Sequence, residues 1–371
     1  MYLLTAYFYT SSRDYDIKWT LPHCVITLRL IALAFNVYDG TKKFDQLSED
    51  QKKTALHRTP SLLEISGYCY FFGGFMVGPQ FSMTQYLSFV HKRIPPNAFS
   101  GKPSCFFAAF SKLFLGLLVL AVYQLGVTIL PEMYVMTYEF EEKHFFYKIL
   151  IIGLWGKICL YKYVACWLLS EGSCILTGLT YNGEDKKGNI LWNGCTNIDL
   201  LDFEKTITFN GIIRSFNINT NQWVSQYVFK RLKFLGSKLM SQFLSLIFLA
   251  MWHGLHTGYY ICFFNEFIVM KMERDIQNIV ENSQFLTRIV NNFKYPIYFL
   301  MKIYLTCVIG YCLLPFILLT TDRWYGVYSS VYFYGHIIYL TWPVLYFFAS
   351  LFKGKNGGPE IIRPSEIEVT Q

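Results

Sequence analysis

The sequence is poor in charge. Asp, Glu, Lys and Arg make up 16% of its 371 residues, against about 25% in soluble globular proteins. That is too little polar side chain to wrap a single soluble core when 53% of the residues are hydrophobic and 19% aromatic. No soluble basic domain is present, so the net charge of +8 does not point to nucleic acid as a partner. The ten cysteines contain no C-x-x-C pair, which removes the common zinc and dithiol signatures. Most of these thiols lie in apolar stretches, where cysteine behaves as a small hydrophobe. The G-x-S-x-G turn of serine hydrolases is missing. Transporters are often built from repeated halves, and no internal repeat is found. Asn-x-Ser/Thr acceptors are lacking too, which leaves the compartment open. Met1–Thr10 has neither the basic n-region nor the cleavage site of a signal peptide. Ten residues are too few to span a bilayer, so this stretch reads as the end of a helix.

What is present is a series of long apolar runs, with a mean hydropathy of +0.29. About 20 such residues cross a bilayer core as a helix. Leu21–Tyr38 is the first candidate span, interrupted by Arg29. Cys105–Leu130, Ile149–Leu169, Met240–Phe264, Pro296–Leu319 and Val327–Phe352 follow. Leu62–Val77 is shorter and rich in glycine, and fits a span, a re-entrant segment or an interfacial helix. Lys157 and Lys162 lie inside one run, which must therefore turn a face to protein or water. The most polar long segment, Tyr181–Lys238, is expected to form interfacial or cavity-facing helices. The fold class is all-α: a polytopic transmembrane helical bundle with short re-entrant or interfacial helices. Residues 1–352 read as one membrane-embedded domain. Residues 353–371 carry Gly, Pro and alternating charge, and are expected to be disordered.

The most informative residue is His253, inside the apolar run Leu244–Phe264. Ionisable groups in such runs usually line a cavity or pathway. A neutral imidazole there can take a proton from a hydroxyl. Upstream lies the amide-rich stretch Phe216–Trp223, with Asn217. An asparagine cannot take protons at neutral pH, but it can orient an acceptor or donate a hydrogen bond to a developing oxyanion. The pair fits acyl transfer from an activated donor to a hydroxyl. Two blander readings stay open. His253 can be a packing residue hydrogen-bonded to a neighbouring helix. It can also share a face with His256 and bind a metal, although no carboxylate or thiolate cluster completes a ligand set, and no metal is expected. The basic stretch Lys230, Arg231 and Lys233, with Lys238 beyond, fits either a cytosolic topology signal or capture of a phosphate-rich donor.

Several stretches carry a resemblance. Ser215–Trp223 (SFNINTNQW), Tyr227–Gly236 (YVFKRLKFLG) and Ala250–Gly258 (AMWHGLHTG) closely resemble membrane-bound O-acyltransferases, specifically the branch that acylates lysophospholipids. Tyr15–Cys24, Val77–Met83, Trp155–Trp167 and Glu171–Leu179 match as well, so the likeness runs from residue 14 to about 350. It implies transfer of an acyl group from acyl-CoA, as co-substrate and with no cofactor, to a lysophospholipid at the endoplasmic reticulum membrane. It implies catalytic roles for Asn217 and His253. Thr220, Trp223, Trp252, Lys230, Arg231 and Lys233 become candidate substrate-binding residues. The resemblance leaves the oligomeric state open. It also implies that helices found in family members before this region are missing here. An inactive lipid-binding scaffold, or an enzyme with a sterol or protein acceptor, are the alternatives.

Overall fold

The fold comes from a computed structural model, which describes residues 1–13, 18–91, 98–99 and 101–353. The tail expected to be disordered lies, from residue 354 on, outside the described residues. The first part of the chain forms α1 (Tyr2–Thr10), α2 (Thr20–Gly40), α3 (Glu49–Thr54), α4 (Leu62–Cys69), α5 (Met83–Val90) and α6 (Cys105–Ile129). Next come α7 (Tyr138–Glu141), α8 (Phe145–Thr177), α9 (Leu200–Lys205), α10 (Phe209–Ser215) and α11 (Ile218–Val224). The last part forms α12 (Lys238–His253), α13 (Thr257–Glu281), α14 (Gln284–Asn292), α15 (Lys294–Leu318), α16 (Thr321–Ser330) and α17 (Tyr334–Lys353). Among the described residues, β-pairing is limited to two isolated bridges, Glu184 with Ile190 and Ile198 with Phe216. The fold is all-α, as the sequence predicts.

Among the described residues, four helices, α2, α6, α8 and α15, are long and apolar enough to cross a membrane. α6 starts at a Ser104 cap whose Oγ accepts the Phe107 N–H at 3.2 Å. It exposes Phe106, Phe110, Phe114, Leu118 and Leu125. An apolar face of that extent is stable only against lipid or another protein. α8 is the central helix, with Trp155, Val164 and Ala165 fully buried. It crosses α15 on small residues: a Cβ added to Gly156 would lie 2.4 Å from the Gly310 Cα. Close backbone approach of this kind is how membrane helices gain packing without a hydrophobic driving force. Of the two surroundings predicted for Lys157 and Lys162, protein or water, both lysines find protein partners. Lys157 Nζ sits 2.6 Å from Glu204, and Lys162 Nζ sits 2.9 Å from Glu132.

Arg29 is fully buried in α2. Its guanidinium donates to the carbonyls of Tyr68 (2.9 Å), Cys69 (3.0 Å), Gly74 (2.9 Å) and Pro79 (3.3 Å). The glycine-rich segment after α4 is therefore wrapped around a charge, and α4, with eight residues, is too short to span. Two predicted spans need correction. Met240–Phe264 is not one helix but two, α12 and α13, broken between His253 and Thr257. Val327–Phe352 is likewise divided into α16 and α17, with Tyr332 and Phe333 at positive φ in between.

Candidate active site

The break after α12 sets the position of His253. A Ser237 cap opens this helix, its Oγ accepting the Met240 N–H at 3.2 Å. Gly254 ends it at φ 148°, where a Cβ would sit 2.9 Å from the Tyr259 ring. A side-chain-bearing residue is strained at that φ, so glycine fits the stop. His253 is thus the last residue of its helix rather than a mid-span one. His256 precedes α13, so the two histidines belong to different elements. The His253 ring packs against Phe263 (centroids 5.5 Å apart, stacked) and edge-on to Phe316 (4.9 Å). Among the described residues no hydrogen bond is made by its nitrogens, so the alternative of a histidine tied to a neighbouring helix is not met.

Asn217 reaches the same place from the polar segment. It adopts a left-handed conformation, φ 52° and ψ 43°, between α10 and α11. Asparagine tolerates that region better than most residues. The turn is pinned from two sides. Asn221 Nδ2 donates to the carbonyls of Ile213 (2.7 Å) and Phe216 (2.9 Å). The carbonyl of Asn197 accepts the Ile218 N–H at 3.0 Å.

Asn217 and His253 line one cavity of about 180 Å³. Its walls are otherwise mostly apolar, with Phe209, Phe216, Leu249, Phe263 and Leu313 among them. Tyr163, Trp167, Asn221 and Glu266 add polar atoms. Sequence reasoning missed Glu266. Among the described residues it is the sole carboxylate on the cavity wall, it is half-buried, and none of them bonds to it. The available signal was its place in α13, one turn beyond Cys262, which lines the same wall.

The remaining candidates do not line this cavity. Trp223 is buried, and its indole donates to the Leu28 carbonyl at 3.1 Å. Trp252 donates to the Cys24 carbonyl at 3.0 Å. Both indoles lash other elements to α2 rather than face the cavity. Thr220 is buried in α11. Arg231 forms a two-pronged pair with the buried carboxylate of Asp39, and Lys230 pairs with Asp50. These two cations are already engaged by carboxylates, whereas Lys233 is exposed and pairs with no carboxylate among the described residues. All ten cysteines are free.

A His and an Asn on one mostly apolar cavity of a multi-span helical protein narrow the comparison. The model of the membrane-bound O-acyltransferase family matches residues 4–314. The chain belongs to the membrane-bound O-acyltransferase family. It is similar to lysophospholipid acyltransferase 5 of Mus musculus, 45% identical over 343 residues that cover 92% of this chain and 70% of that protein. The protein of the same name from Drosophila melanogaster is 42% identical, covering 93% of this chain and 69% of its own length. That of Caenorhabditis elegans is 33% identical, with 93% and 74% covered. As a membrane-bound O-acyltransferase, the protein is a multi-pass membrane enzyme that transfers acyl groups.

Proposed function

We propose that the protein is an acyl-CoA-dependent lysophospholipid O-acyltransferase of the endoplasmic reticulum membrane, with residues 1–352 as one catalytic domain. It would place an unsaturated acyl chain on the free sn-2 hydroxyl of lysophosphatidylcholine, and less readily of lysophosphatidylethanolamine and lysophosphatidylserine. The observation that carries this reading is the convergence of Asn217 and His253 on one cavity. Relatives named lysophospholipid acyltransferase over most of the chain support the acceptor class. In the reaction, His253 takes the proton of the sn-2 hydroxyl as the oxygen attacks the thioester carbonyl. Asn217 meets the reacting groups through its amide. The tetrahedral intermediate then expels the coenzyme A thiolate, which takes the proton back from the imidazolium. Atoms and charge balance without a metal or redox partner.

The choline preference rests on chemistry. A quaternary ammonium is held by aromatic faces and needs few fixed charges. The cavity wall offers Tyr163, Trp167, Phe263 and Phe316. Microsomes containing the protein, given mixed lysophospholipids and one polyunsaturated acyl-CoA, should yield mainly phosphatidylcholine. A strong preference for lysophosphatidylinositol or for a non-phospholipid alcohol would overturn the acceptor assignment.

A further inference from the structure

An asparagine can present either of two opposite groups to a substrate. Its carbonyl oxygen accepts hydrogen bonds, and its NH2 donates them. Which one Asn217 turns to the cavity decides what it can do. The oxygen could orient the hydroxyl of the acceptor or an imidazole N–H. The NH2 could stabilise negative charge growing on the thioester carbonyl.

The neighbouring chain settles this orientation. Asn197 is almost fully buried. One end of its side chain lies 2.9 Å from the main-chain N–H of Asn219. A main-chain N–H can only donate, so the group facing it must be the Asn197 oxygen. The other end of Asn197 is then its NH2, which can only donate. That end lies 3.4 Å from the side chain of Asn217. The group of Asn217 facing it must accept, so it is the oxygen. The Asn217 NH2 is left on the far side of the amide. The same residue holds the backbone of the turn through the Ile218 N–H. Its neighbour Thr196 donates to the buried Glu171 carboxylate at 2.8 Å, which Lys112 also approaches at 3.0 Å. The clamp is thereby anchored to α6 and α8.

We propose that Asn197 is a positioning residue that locks the Asn217 amide with its NH2 toward the cavity, so that Asn217 acts as a hydrogen-bond donor to the reacting carbonyl. This rests on the catalytic reading of Asn217 given above. It adds the direction of the amide and the residue that sets it.

The test is a kinetic cycle on the full chain in membranes. Asn197→Asp keeps the shape and the acceptor for the Asn219 N–H. It places a second acceptor where Asn197 donated, which draws the Asn217 NH2 away from the cavity. Turnover should fall by about 10-fold or more, within the ~10² cost of small misplacements at a reacting centre, with KM for acyl-CoA and for the lysophospholipid unchanged. Asn217→Ala alone should cost roughly 10²-fold, as for loss of one oxyanion donor. Adding Asn197→Asp to Asn217→Ala should cost nothing further, because the effect runs through the missing amide. Multiplying losses in the double variant would assign Asn197 a general structural role and overturn the proposal. Wild-type turnover of Asn197→Asp beside an impaired Asn217→Ala would overturn it while leaving Asn217 catalytic. Full activity of Asn217→Ala would sink both. Should Asn197→Asp not reach the membrane folded, Asn197→Ser, which also loses the NH2 donor, enters the same cycle with the same expected pattern.

Discussion

At the scale of single residues, the cavity sorts side chains by how they are held. His253 is fixed by ring packing and has no hydrogen-bond partner among the described residues, which leaves its nitrogens for a substrate. His253→Ala should lower acyl transfer by at least ~10²-fold, the low end for a general base, with membrane expression retained; near-normal transfer would reject its role. Glu266 makes a different prediction. A carboxyl facing an apolar cavity without a partner costs stability, and such groups in native proteins call for a functional reason. Glu266→Leu should raise the thermal stability of the solubilised protein, by about 1–3 kcal/mol, while reducing acyl transfer. Unchanged turnover in that variant would mark the carboxyl as idle. The histidine and Asn217 were legible in the sequence because polar residues stand out where the surroundings are apolar or amide-rich. Glu266 was not, since it lies two residues past the predicted run Met240–Phe264. The ion pairs of Lys230 and Arg231 were not legible either: their partners, Asp50 and Asp39, are distant in the chain, and sequence shows charges without showing pairs.

At the scale of elements, hydropathy located the spans and missed their breaks. Leu21–Tyr38, Cys105–Leu130 and Pro296–Leu319 correspond closely to α2, α6 and α15. The run around His253 was read through Gly254 because a single glycine lowers helix preference by only about 1 kcal/mol. The helix stops where Gly254 turns to φ 148°, and a side chain there would meet the Tyr259 ring, a crowding that hydropathy does not register. The crossing of α8 and α15 makes the clearest element-level prediction. A Cβ on Gly310 would lie 2.1 Å from the Ile152 carbonyl oxygen. Gly310→Val should force the helices apart and cost about 1–3 kcal/mol or more, read as a lower melting temperature in detergent. Activity should fall with it, because α15 carries Ile309, Cys312, Leu313 and Phe316 to the cavity wall. A variant with unchanged melting would show that the helices do not meet at this point.

At the scale of the whole molecule, the membrane sets the orientation. Lys230, Arg231 and Lys233 cluster just before α12, and Lys238 is its first residue. Positive charge of this kind collects on the cytosolic side, where acyl-CoA is found. Ser237 is exposed at the start of α12. A cysteine introduced by Ser237→Cys should gain labelling, above the wild-type background, by a membrane-impermeant maleimide in sealed microsomes. Labelling only after permeabilisation would put this end of α12 in the lumen and move the donor entrance with it.

The apolar lining of the cavity has a consequence for chemical fidelity. A thioester can be attacked by water as well as by an alcohol, and a base in the role proposed for His253 would activate either. Water is abundant and small, so geometry alone cannot refuse it. A chamber walled mostly by apolar side chains such as Phe209, Phe216, Leu249, Phe263 and Leu313 confines the two to four polar partners a bound water needs to the patch where Asn217, Asn221, His253 and Glu266 lie, the same groups a substrate would cover. The lysophospholipid brings its own hydrocarbon to fill the same space. On the proposed reaction, excluding water from a reactive intermediate in this way would suppress the wasteful reaction, and the acyl group would pass to the lipid rather than leave as free fatty acid.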